Sequence, residues 1–287
     1  METKTVFITG TSSGFGRETA LLFARKGWHV VATVRNLDSQ KARQLQKVVT
    51  DQQLPLTILE LDVTKDSSVN SAIKKLEKLS PQIYVLINNA GFGLLGAVED
   101  CSIDEVKQQF ETNFFGMLRV TKAILPIMRK HKTGTIINIS SINGLIPFPF
   151  YSVYAASKYA VEAITESLRV ELAPFGIKTV LIEPGSFLTD FFENRKHPHM
   201  QNNSNSPYTQ AFFKTFDKLR TNIGNSAAAM RLNPIRVAQL LWIIANNSSP
   251  RLRYIIGLDA RVYLLVKKLL PEKIWFYLLE RAYRLRR

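Results

Sequence analysis

The chain has 287 residues, of which 46% are hydrophobic and 21% charged, values ordinary for a globular protein with a sizeable core. Its net charge of +15 suits nucleic acid, anionic lipid or a phosphorylated ligand, and equally a solubilising basic surface. The single cysteine, Cys101, excludes an intramolecular disulfide and a cysteine metal site, and it fits a reducing compartment such as the cytoplasm. We expect no signal peptide and no spanning helix, because no apolar run reaches the ~20 residues that a span needs.

A strand, a glycine-rich loop, a helix and a second strand are predicted first. Residues 5–9 form a β-branched run typical of a buried strand, a helical pattern ends at Gly27, and residues 29–34 form the second strand. Glycines in such a loop allow a tight turn, close approach of a pyrophosphate and close packing of helix on strand. This favours a phosphate-binding loop over a tight turn without a ligand. The glycine loop consists of Gly10, Thr11, Ser12, Ser13, Gly14, Phe15 and Gly16.

Strands and helices continue to alternate up to residue 185. Strands are predicted at 56–61, 83–87, 135–139 and 178–182, and helices at 68–79, 103–128 and 151–172. The helix 103–128 is expected to break near Gly116 and Pro126. Repeated βα units with apolar strands predict an α/β single domain, a doubly wound parallel sheet with helices on both faces. Ligands bind beyond the carboxyl ends of such strands, and polar motifs follow several of them.

Tyr154 and Lys158 are four residues apart in a predicted helix, so the phenol and the ammonium share one face. A cation beside a phenol favours the phenolate and is expected to lower its pKa from about 10. Such a phenol can exchange a proton with an alcohol oxygen near neutral pH. The same spacing occurs on many solvated helices, so the function depends on the other motifs.

The alternating pattern stops near residue 190. Residues 190–225 are polar with interspersed aromatic side chains, which is typical of a lid, and disorder of Gln201 to Ser206 is the open alternative. His197-Pro198-His199 has no carboxylate or cysteine at ligand spacing, so we expect a loop and no metal. A helix at 234–246 and a strand at 253–256 complete a domain predicted at residues 1–257.

The remaining residues, 258–287, form a basic amphipathic C-terminal extension. From Arg251 onward, only Asp259, Glu272 and Glu280 oppose many lysines and arginines, and apolar residues are mixed among them. This composition suits a helix on an anionic membrane, and it equally suits a helix that closes over the domain or a dimer contact. The three alternatives stay open at this point.

Taken in order, the motifs resemble the short-chain dehydrogenase/reductase family, whose Rossmann fold fits the predicted alternation. The resemblance covers residues 5–190 and rests on the glycine loop, Asn88-Asn89-Ala90-Gly91, Asn113, Ser141, Tyr154, Lys158 and Pro184-Gly185. The stretch from Gly93 to Glu99 and the extended C-terminus are most similar to the hydroxysteroid and retinol dehydrogenase branch. The resemblance implies hydride transfer that interconverts a hydroxyl and a carbonyl.

The resemblance also implies a catalytic set of four residues. Tyr154 would be the general acid in carbonyl reduction, and Lys158 would hold the nicotinamide ribose and lower the tyrosine pKa. Ser141 would hydrogen-bond the substrate oxygen and stabilise its developing charge. Asn113 would position a water that links Lys158 to solvent.

Further cofactor contacts follow from the same resemblance. Beside the glycine loop, the implied residues are Asp62, Val63, Asn89, Ala90, Gly91, Tyr154, Lys158, Pro184, Gly185, Phe187 and Thr189. Phe187 departs from the small aliphatic residue that is usual there. Where NAD sites carry an acid after the second strand, this chain has Val34 followed by Arg35 and Asn36. An arginine can pair a 2′-phosphate, so we predict NADP(H), and the alternative is that Arg35 is a solvated surface residue.

Apolar loop residues after the motifs predict a pocket for a hydrophobic alcohol or ketone, such as a steroid or retinoid. With Ser141, its expected lining is Leu94, Asn143, Leu145, Phe148 and Tyr151, and core packing is the alternative for several of them. The second candidate substrate is a lipid or acyl-carrier ketone, a 3-oxoacyl group or acyl-dihydroxyacetone phosphate. A cofactor-binding regulator without catalysis is a third alternative. We expect no nucleic-acid partner, because no known reading element is present, and a homo-dimer or homo-tetramer.

Overall fold

A parallel sheet of seven strands forms the centre of the fold. The computed structural model describes residues 3–191, 194–198, 206–214, 233–283 and 285. The strands are β1 (Thr5–Ile8), β2 (His29–Val34), β3 (Leu56–Glu60), β4 (Val85–Asn88), β5 (Gly134–Ile139), β6 (Ile177–Pro184) and β7 (Arg253–Ile256). They pair in the order β3-β2-β1-β4-β5-β6-β7, so the strand order reverses beside β1 and opens a crevice at the carboxyl edge.

Helices cover both faces of this sheet, as the alternation predicted. They are α1 (Gly14–Arg25), α2 (Gln40–Asp51), α3 (Asp66–Leu79), α4 (Ile103–Phe110), α5 (Met117–Lys130), α6 (Ser152–Glu171), α7 (Ile235–Ala245), α8 (Leu258–Leu269) and α9 (Glu272–Ala282). Because side chains alternate along a strand, Val6 and Ile8 pack with α1, α2 and α7, whereas Phe7 packs with α3, α5 and α6. The predicted doubly wound α/β fold is therefore confirmed.

The sequence analysis did not predict helix α2, which the structure contains. Only three of its residues, Ala42, Leu45 and Val49, are buried, so its apolar stripe is narrow among charged and polar side chains. Ser39 caps the helix by accepting a hydrogen bond from the Ala42 amide at 3.3 Å. Packing of this stripe on β2 and β3 stabilises a segment whose own pattern is weak.

The long helix predicted at 103–128 is interrupted near Gly116, as expected, but it is not broken at Pro126. A π-helical turn at Glu111–Gly116 joins α4 to α5, and Pro126 lies inside α5. A Cβ on Gly116 would lie 2.6 Å from Val63 Cγ2, so this glycine permits close packing where the π-helical turn ends. The buried stripe of α5 outweighs the hydrogen bond that Pro126 cannot donate.

Part of the predicted lid pairs with the loop after β4. The amide of Leu95 donates to the Lys196 carbonyl at 2.9 Å, and the amide of Lys196 donates to the Gly93 carbonyl at 2.8 Å. Residues 209–214 are helical. Residues 201–205, for which disorder was the alternative, lie outside the described residues, while Ser206 donates to Asp100 Oδ2 at 2.9 Å.

The C-terminal extension folds as two helices, α8 and α9, on either side of Leu270-Pro271. Their inner side chains Ala260, Trp275 and Leu279 are buried against the domain. The inner face therefore closes over the domain, which was one of the three alternatives for this segment. Among the described residues, every helix is too short or too polar to cross a membrane.

Candidate active site

The glycine loop connects β1 to α1 at the carboxyl edge of the sheet. A Cβ on Gly16 would lie 2.3 Å from the Gly10 carbonyl oxygen, and a Cβ on Gly10 would lie 2.8 Å from Ala90 Cα. The Asn89 Nδ2 donates to the Thr9 and Gly10 carbonyls at 2.9 and 2.8 Å. The end of β4 therefore holds the loop in place, and only glycine allows backbone to approach this closely.

Helix α1 begins without an acidic residue in its first turn, and its N-cap, Ser13, makes no side-chain capping hydrogen bond. The first amides of the helix therefore lack side-chain acceptors and carry the positive end of the helix dipole. A cavity of about 200 Å³ adjoins this turn and includes Ser12, Ser13, Arg17, Lys41 and Thr189 in its lining. Across it, Lys41 Nζ pairs with Asp190 Oδ2 at 2.5 Å. The uncapped amides of α1, with the Arg17 guanidinium beside them, suit a phosphate group.

The adenosine-side residues lie where β2 and β3 end. Asp62 Oδ1 accepts hydrogen bonds from the Thr64 amide and hydroxyl at 3.0 and 2.7 Å. Burial acts to raise the pKa of Asp62, but these hydrogen bonds and the Lys65 and Arg35 charges hold it below its usual value. Arg35 is exposed directly after β2 and has no ion-pair partner within the described part of the chain. Its guanidinium is therefore accessible to a ligand.

Two other predicted residues on this side have structural contacts. Val63 is buried beside Gly116, and Asn36 Oδ1 accepts from the Asp38 amide at 2.7 Å. Asn36 therefore shapes the turn after β2. Its contact with a cofactor stays a prediction, as does that of Val63.

Helix α6 carries Tyr154 and Lys158 on one buried face. The Lys158 Nζ lies 5.7 Å from the centre of the phenol ring and donates to the Ile139 carbonyl at 2.8 Å. Ile139 ends β5, and Ser141 follows two residues later. The Ser141 and Tyr154 side chains are hydrogen-bonded, and Ser141 Oγ also accepts from the Asn143 amide at 3.1 Å. The structure thus brings a phenol, a hydroxyl and an ammonium together at the carboxyl edge.

The expected lowering of the Tyr154 pKa by Lys158 is wrong for this structure. Burial raises the pKa of Tyr154 to about 12, and the hydrogen bond with Ser141 acts in the opposite direction. Burial also lowers the pKa of Lys158 to about 8, while the Glu162 charge acts to raise it. Desolvation of the phenol outweighs the Ser141 hydrogen bond, so Tyr154 keeps its proton at neutral pH.

Asn113 projects from the π-helical turn towards the loop after β4. Its Nδ2 donates to the Phe92 carbonyl at 3.0 Å and to Ser157 Oγ at 3.2 Å, and its Oδ1 accepts from the Phe92 amide at 3.1 Å. A Cβ on Gly91 would lie 3.0 Å from Asn113 Oδ1 and 3.9 Å from Lys158 Nζ. Gly91 therefore separates the two side chains and leaves the space between them open.

The segment after β6 is held by the first turn of α8. The amide of Ser186 donates to Asp259 Oδ2 at 2.7 Å, and a Cβ on Gly185 would lie 2.3 Å from Asp259 Oδ1. The amide of Gly185 also donates to the Ile256 carbonyl at 2.8 Å. Sequence reasoning missed Asp259 as a site residue, although it is a rare acid in a basic tail. It couples Pro184-Gly185 to the C-terminal extension.

Phe187 points into the core and packs edge-to-face on Phe15, with ring centres 5.4 Å apart. Thr189 Oγ1 accepts from the Phe191 amide at 3.3 Å. Thr189 thus shapes the start of the lid. The cofactor contacts expected for Phe187, Phe15 and Thr189 stay predictions.

The substrate-side residues form one apolar cluster with the lid and the C-terminal helices. The Phe191 ring lies 5.4 Å from the ring of Tyr154. The cluster comprises, among others, Ile142, Leu145, Phe148, Tyr151, Tyr154, Phe191, Phe212, Trp275 and Leu279. Sequence reasoning missed Trp275 and Leu279 as site-side residues, because helical spacing shows an apolar face but not what it covers.

Two polar contacts border this cluster. Gln109 Oε1 accepts from the amide of Leu94 at 2.6 Å, so a residue that sequence reasoning missed positions the predicted lining. Asn143 is buried, and its Oδ1 has no hydrogen-bond partner among the described residues. An unsatisfied buried carbonyl oxygen of this kind suits a polar group on a ligand.

The His-Pro-His stretch is engaged in local contacts where it is described. His197 Nε2 accepts from Arg195 Nε at 3.0 Å, and its Nδ1 lies 3.2 Å from the Leu95 carbonyl. Within the described ranges, no group of three or more His, Cys, Asp or Glu side chains could hold a metal.

Comparison with known proteins agrees with this geometry. A family model described as short chain dehydrogenase matches residues 4–199. The chain is 39% identical to YusZ, an uncharacterized oxidoreductase of Bacillus subtilis, over 98% of this chain and 99% of the relative. It is 35% identical to a 3-ketodihydrosphingosine reductase of Bacteroides thetaiotaomicron over the whole of both chains. It is also 35% identical to retinol dehydrogenase 8 of Bos taurus, over 87% of this chain and 80% of the relative.

Solved structures give the same result. A short-chain dehydrogenase from Streptomyces avermitilis superposes with a TM-score of 0.80 at 30% identity, covering 97% of this chain and 96% of that chain. The protein ElxO with bound NADP superposes with a TM-score of 0.69 at 26% identity, covering 89% and 96%. The family model spans every strand of the sheet except β7. The chain therefore belongs to the short-chain dehydrogenase family of oxidoreductases, in agreement with the resemblance carried by its motifs.

Proposed function

We propose that the chain is an NADP(H)-dependent oxidoreductase that interconverts a hydroxyl and a carbonyl on a hydrophobic substrate. The observation that carries this proposal is the meeting of Ser141, Tyr154 and Lys158 beside the glycine loop. A regulator that only binds a cofactor needs no hydrogen-bonded Ser–Tyr pair. Catalysis is therefore the better account of these residues.

Tyr154 acts as the general acid in reduction and donates its phenolic proton to the carbonyl oxygen. A phenol whose pKa is raised to about 12 keeps this proton at neutral pH and gives it up when negative charge develops on the oxygen. Ser141 donates a second hydrogen bond to the same oxygen, and Lys158 stabilises the phenolate left on Tyr154. When bound, the nicotinamide supplies or accepts the hydride.

The residues present fit a dinucleotide at the carboxyl edge. The close backbone approach at Gly10 and Gly16 and the uncapped start of α1 suit a pyrophosphate. Asp62 and Val63 would face the adenine side, and Pro184-Gly185 and Thr189 the nicotinamide side. Lys158 would hold the ribose hydroxyls, with Asn113 next to it beyond Gly91.

The preference for NADP(H) rests on the end of β2. Arg35 is exposed there, and no carboxylate stands at the position where an NAD site carries one. A guanidinium without an ion-pair partner among the described residues can bind a 2′-phosphate with two parallel hydrogen bonds. The bound NADP of ElxO, a protein of similar fold, supports this choice.

The apolar cluster around Tyr154 supports a hydrophobic substrate such as a steroid or retinoid, and retinol dehydrogenase 8 is among the relatives. A ketone on a lipid chain is the second candidate. It is favoured by the relative named 3-ketodihydrosphingosine reductase, which matches over the full length, including the C-terminal helices. Following NADPH absorbance with retinoid, steroid and 3-ketosphingoid substrates in parallel separates the two candidates.

The outer face of α8 and α9 contacts an anionic membrane in this proposal. Leu265, Leu269 and Phe276 are 57%, 71% and 51% exposed, and the exposed Lys268 and Lys273 lie on the same two helices. Exposed apolar side chains with interspersed cations match an anionic lipid surface, and a second copy of this positively charged face would be repelled. The inner face of the same helices covers the substrate-side cluster, so a lipid substrate would have a short path from the membrane to the active site.

The expected homo-dimer or homo-tetramer is tested by light scattering.

Substitution of Tyr154→Phe tests the mechanism directly. We expect turnover to fall by about 10²-fold or more, because the proton donor is lost, while NADPH affinity measured by fluorescence stays nearly the same. Tyr159→Phe is the matched control, since Tyr159 lies on the same helix but is 41% exposed. Substantial residual activity in Tyr154→Phe would overturn the mechanism.

A further inference from the structure

A buried carboxyl pair lies behind Lys158. Glu162 follows it by one helical turn on α6, and Glu183 is the penultimate residue of β6; they are 4% and 0% exposed. Both face Arg253 on β7, with Glu162 Oε2 at 2.8 Å from its Nη2 and Glu183 Oε1 at 3.1 Å from its Nε. Glu166, which is more exposed, pairs with the same guanidinium.

Three carboxyl groups thus share one guanidinium, and full ionisation would leave an excess of negative charge. Neither oxygen of Glu183 accepts a hydrogen bond of good geometry from the described residues. Because one guanidinium cannot neutralise three carboxylates and uncompensated buried charge is costly, Glu183 favours its protonated form. In agreement, burial, followed by the Glu162 charge, raises the pKa of Glu183 to about 8. Burial also raises the pKa of Glu162, although Ser140 and Arg253 oppose this.

The pair adjoins the active site from behind. Ser140, which precedes Ser141, lies against Glu162, and a Cβ on Gly144 would lie 2.7 Å from Ser140 Oγ and 3.1 Å from Glu162 Oε1. Lys158 and Glu162 are both buried on α6. Burial lowers the pKa of Lys158, and the negative charge of Glu162 acts to raise it. Glu162 therefore places negative charge one helical turn from the buried ammonium of Lys158.

Resting on the role proposed above for Lys158, we propose that Glu162 and Glu183 share one proton and that the negative charge left on the pair keeps Lys158 cationic beside Tyr154. Both are positioning residues, since they act through Lys158 and touch neither substrate nor cofactor. The titratable and charged groups that face the pair are Lys158, Tyr159 and Glu166 of α6 and Arg253 of β7.

The pH profile of NADPH-dependent ketone reduction tests this with Glu162→Gln, Glu183→Gln and Glu166→Gln. Glu162→Gln removes the Glu162 charge, so the upper apparent pKa of kcat should fall by about one unit or more. Glu166→Gln is the matched control, because it removes a more exposed carboxyl from the same guanidinium, and it should leave the profile unchanged. Glu183→Gln leaves the Glu162 charge in place, so the upper apparent pKa of kcat should fall less than in Glu162→Gln. Identical profiles for Glu162→Gln and Glu166→Gln would overturn the proposal.

Infrared spectroscopy of the full-length protein gives a second test that needs no turnover. We expect the wild type to show the carbonyl band of a buried protonated carboxyl at pH 7 and to lose it above about pH 8. The band should be absent in Glu183→Gln and present in Glu166→Gln. A wild-type spectrum without this band at pH 7 contradicts the shared proton even if Glu162→Gln fails to fold. If Tyr154→Phe instead retains turnover, the proposed mechanism fails while the infrared result still reports on the carboxyl pair.

Discussion

Lys158 lies beside the Tyr154 ring, with its Nζ 5.7 Å from the ring centre, and donates its hydrogen bond to the Ile139 carbonyl. The hydrogen bond that acts on the phenol comes from Ser141, and it is the contact that opposes the effect of burial on the pKa of Tyr154. Lys158 is thus placed to stabilise a phenolate once it forms, whereas Ser141 acts on the phenol before the reaction.

Ser141→Ala should therefore lower kcat by about 10²- to 10³-fold, because the phenol loses this hydrogen bond and the substrate oxygen loses a donor. Steady-state kinetics of ketone reduction measure this, and the KM for NADPH should change little. Ser167→Ala serves as the control, since Ser167 is exposed on α6 and bonds only its own helix at the Ala163 carbonyl. An increase in KM without a fall in kcat would contradict the role given to Ser141.

Arg35→Asp should reverse the cofactor preference. The substitution removes the accessible guanidinium after β2 and places a carboxylate where it would repel a 2′-phosphate, so the ratio of kcat/KM for NADPH over NADH should fall by about 10-fold or more. Arg43→Asp makes the same charge change at another exposed position, with a side chain 70% exposed. An unchanged preference for NADPH over NADH in Arg35→Asp would contradict the NADP(H) assignment.

Gly16→Ala should weaken cofactor binding and lower stability together. The new Cβ would lie 2.3 Å from the Gly10 carbonyl oxygen and 2.5 Å from Asn89 Nδ2, so the loop must shift, at a cost of about 1–3 kcal/mol. Chemical denaturation and NADPH titration measure the two effects. Gly27→Asn is the control, because Gly27 has a φ of +83° with open space around its Cα, and asparagine tolerates that conformation. Normal NADPH affinity in Gly16→Ala would contradict this account of the loop.

Flotation with vesicles that contain phosphatidylglycerol tests the outer face of α8 and α9. The wild type should float with them, less so at high salt, and a Leu269→Glu, Phe276→Glu double variant should not. Val170→Glu, at a residue 76% exposed on α6, controls for an added surface charge. If the wild type stays at the bottom of the gradient, the membrane proposal is wrong.

Glu183 makes stability depend on pH in a defined direction. Its pKa in the folded protein is about 8, above the value of 4.5 for an unperturbed glutamate. The folded state therefore holds this proton more tightly, and the stabilisation is complete below about pH 4.5 and lost as the pH rises through 8. Glu183→Gln stays neutral, so its free energy of unfolding should fall less than that of the wild type between pH 5 and 8.5 in urea titrations. Glu166→Gln should follow the wild type, and equal slopes for all three would contradict a protonated Glu183.

The alternation of strands and helices was determined by the sequence alone. A buried β-branched run such as Val6-Phe7-Ile8, followed by a glycine loop and an amphipathic stretch, specifies its element from neighbours a few residues away. The sequence also determined that the motifs cluster at one edge of the sheet, because parallel strands bring their carboxyl ends together. The break expected near Pro126 was wrong because the apolar stripe of α5 packs into the core on both sides of this residue.

Only the tertiary structure decided the electrostatics. The four-residue spacing of Tyr154 and Lys158 placed them side by side, but the raised pKa of the phenol depends on burial by the lid and the C-terminal helices. The contact of Glu162 and Glu183 with Arg253 likewise joins α6, β6 and β7. Spacing within one helix or strand is a local property, whereas desolvation and charge pairing depend on distances between segments that are far apart in the chain.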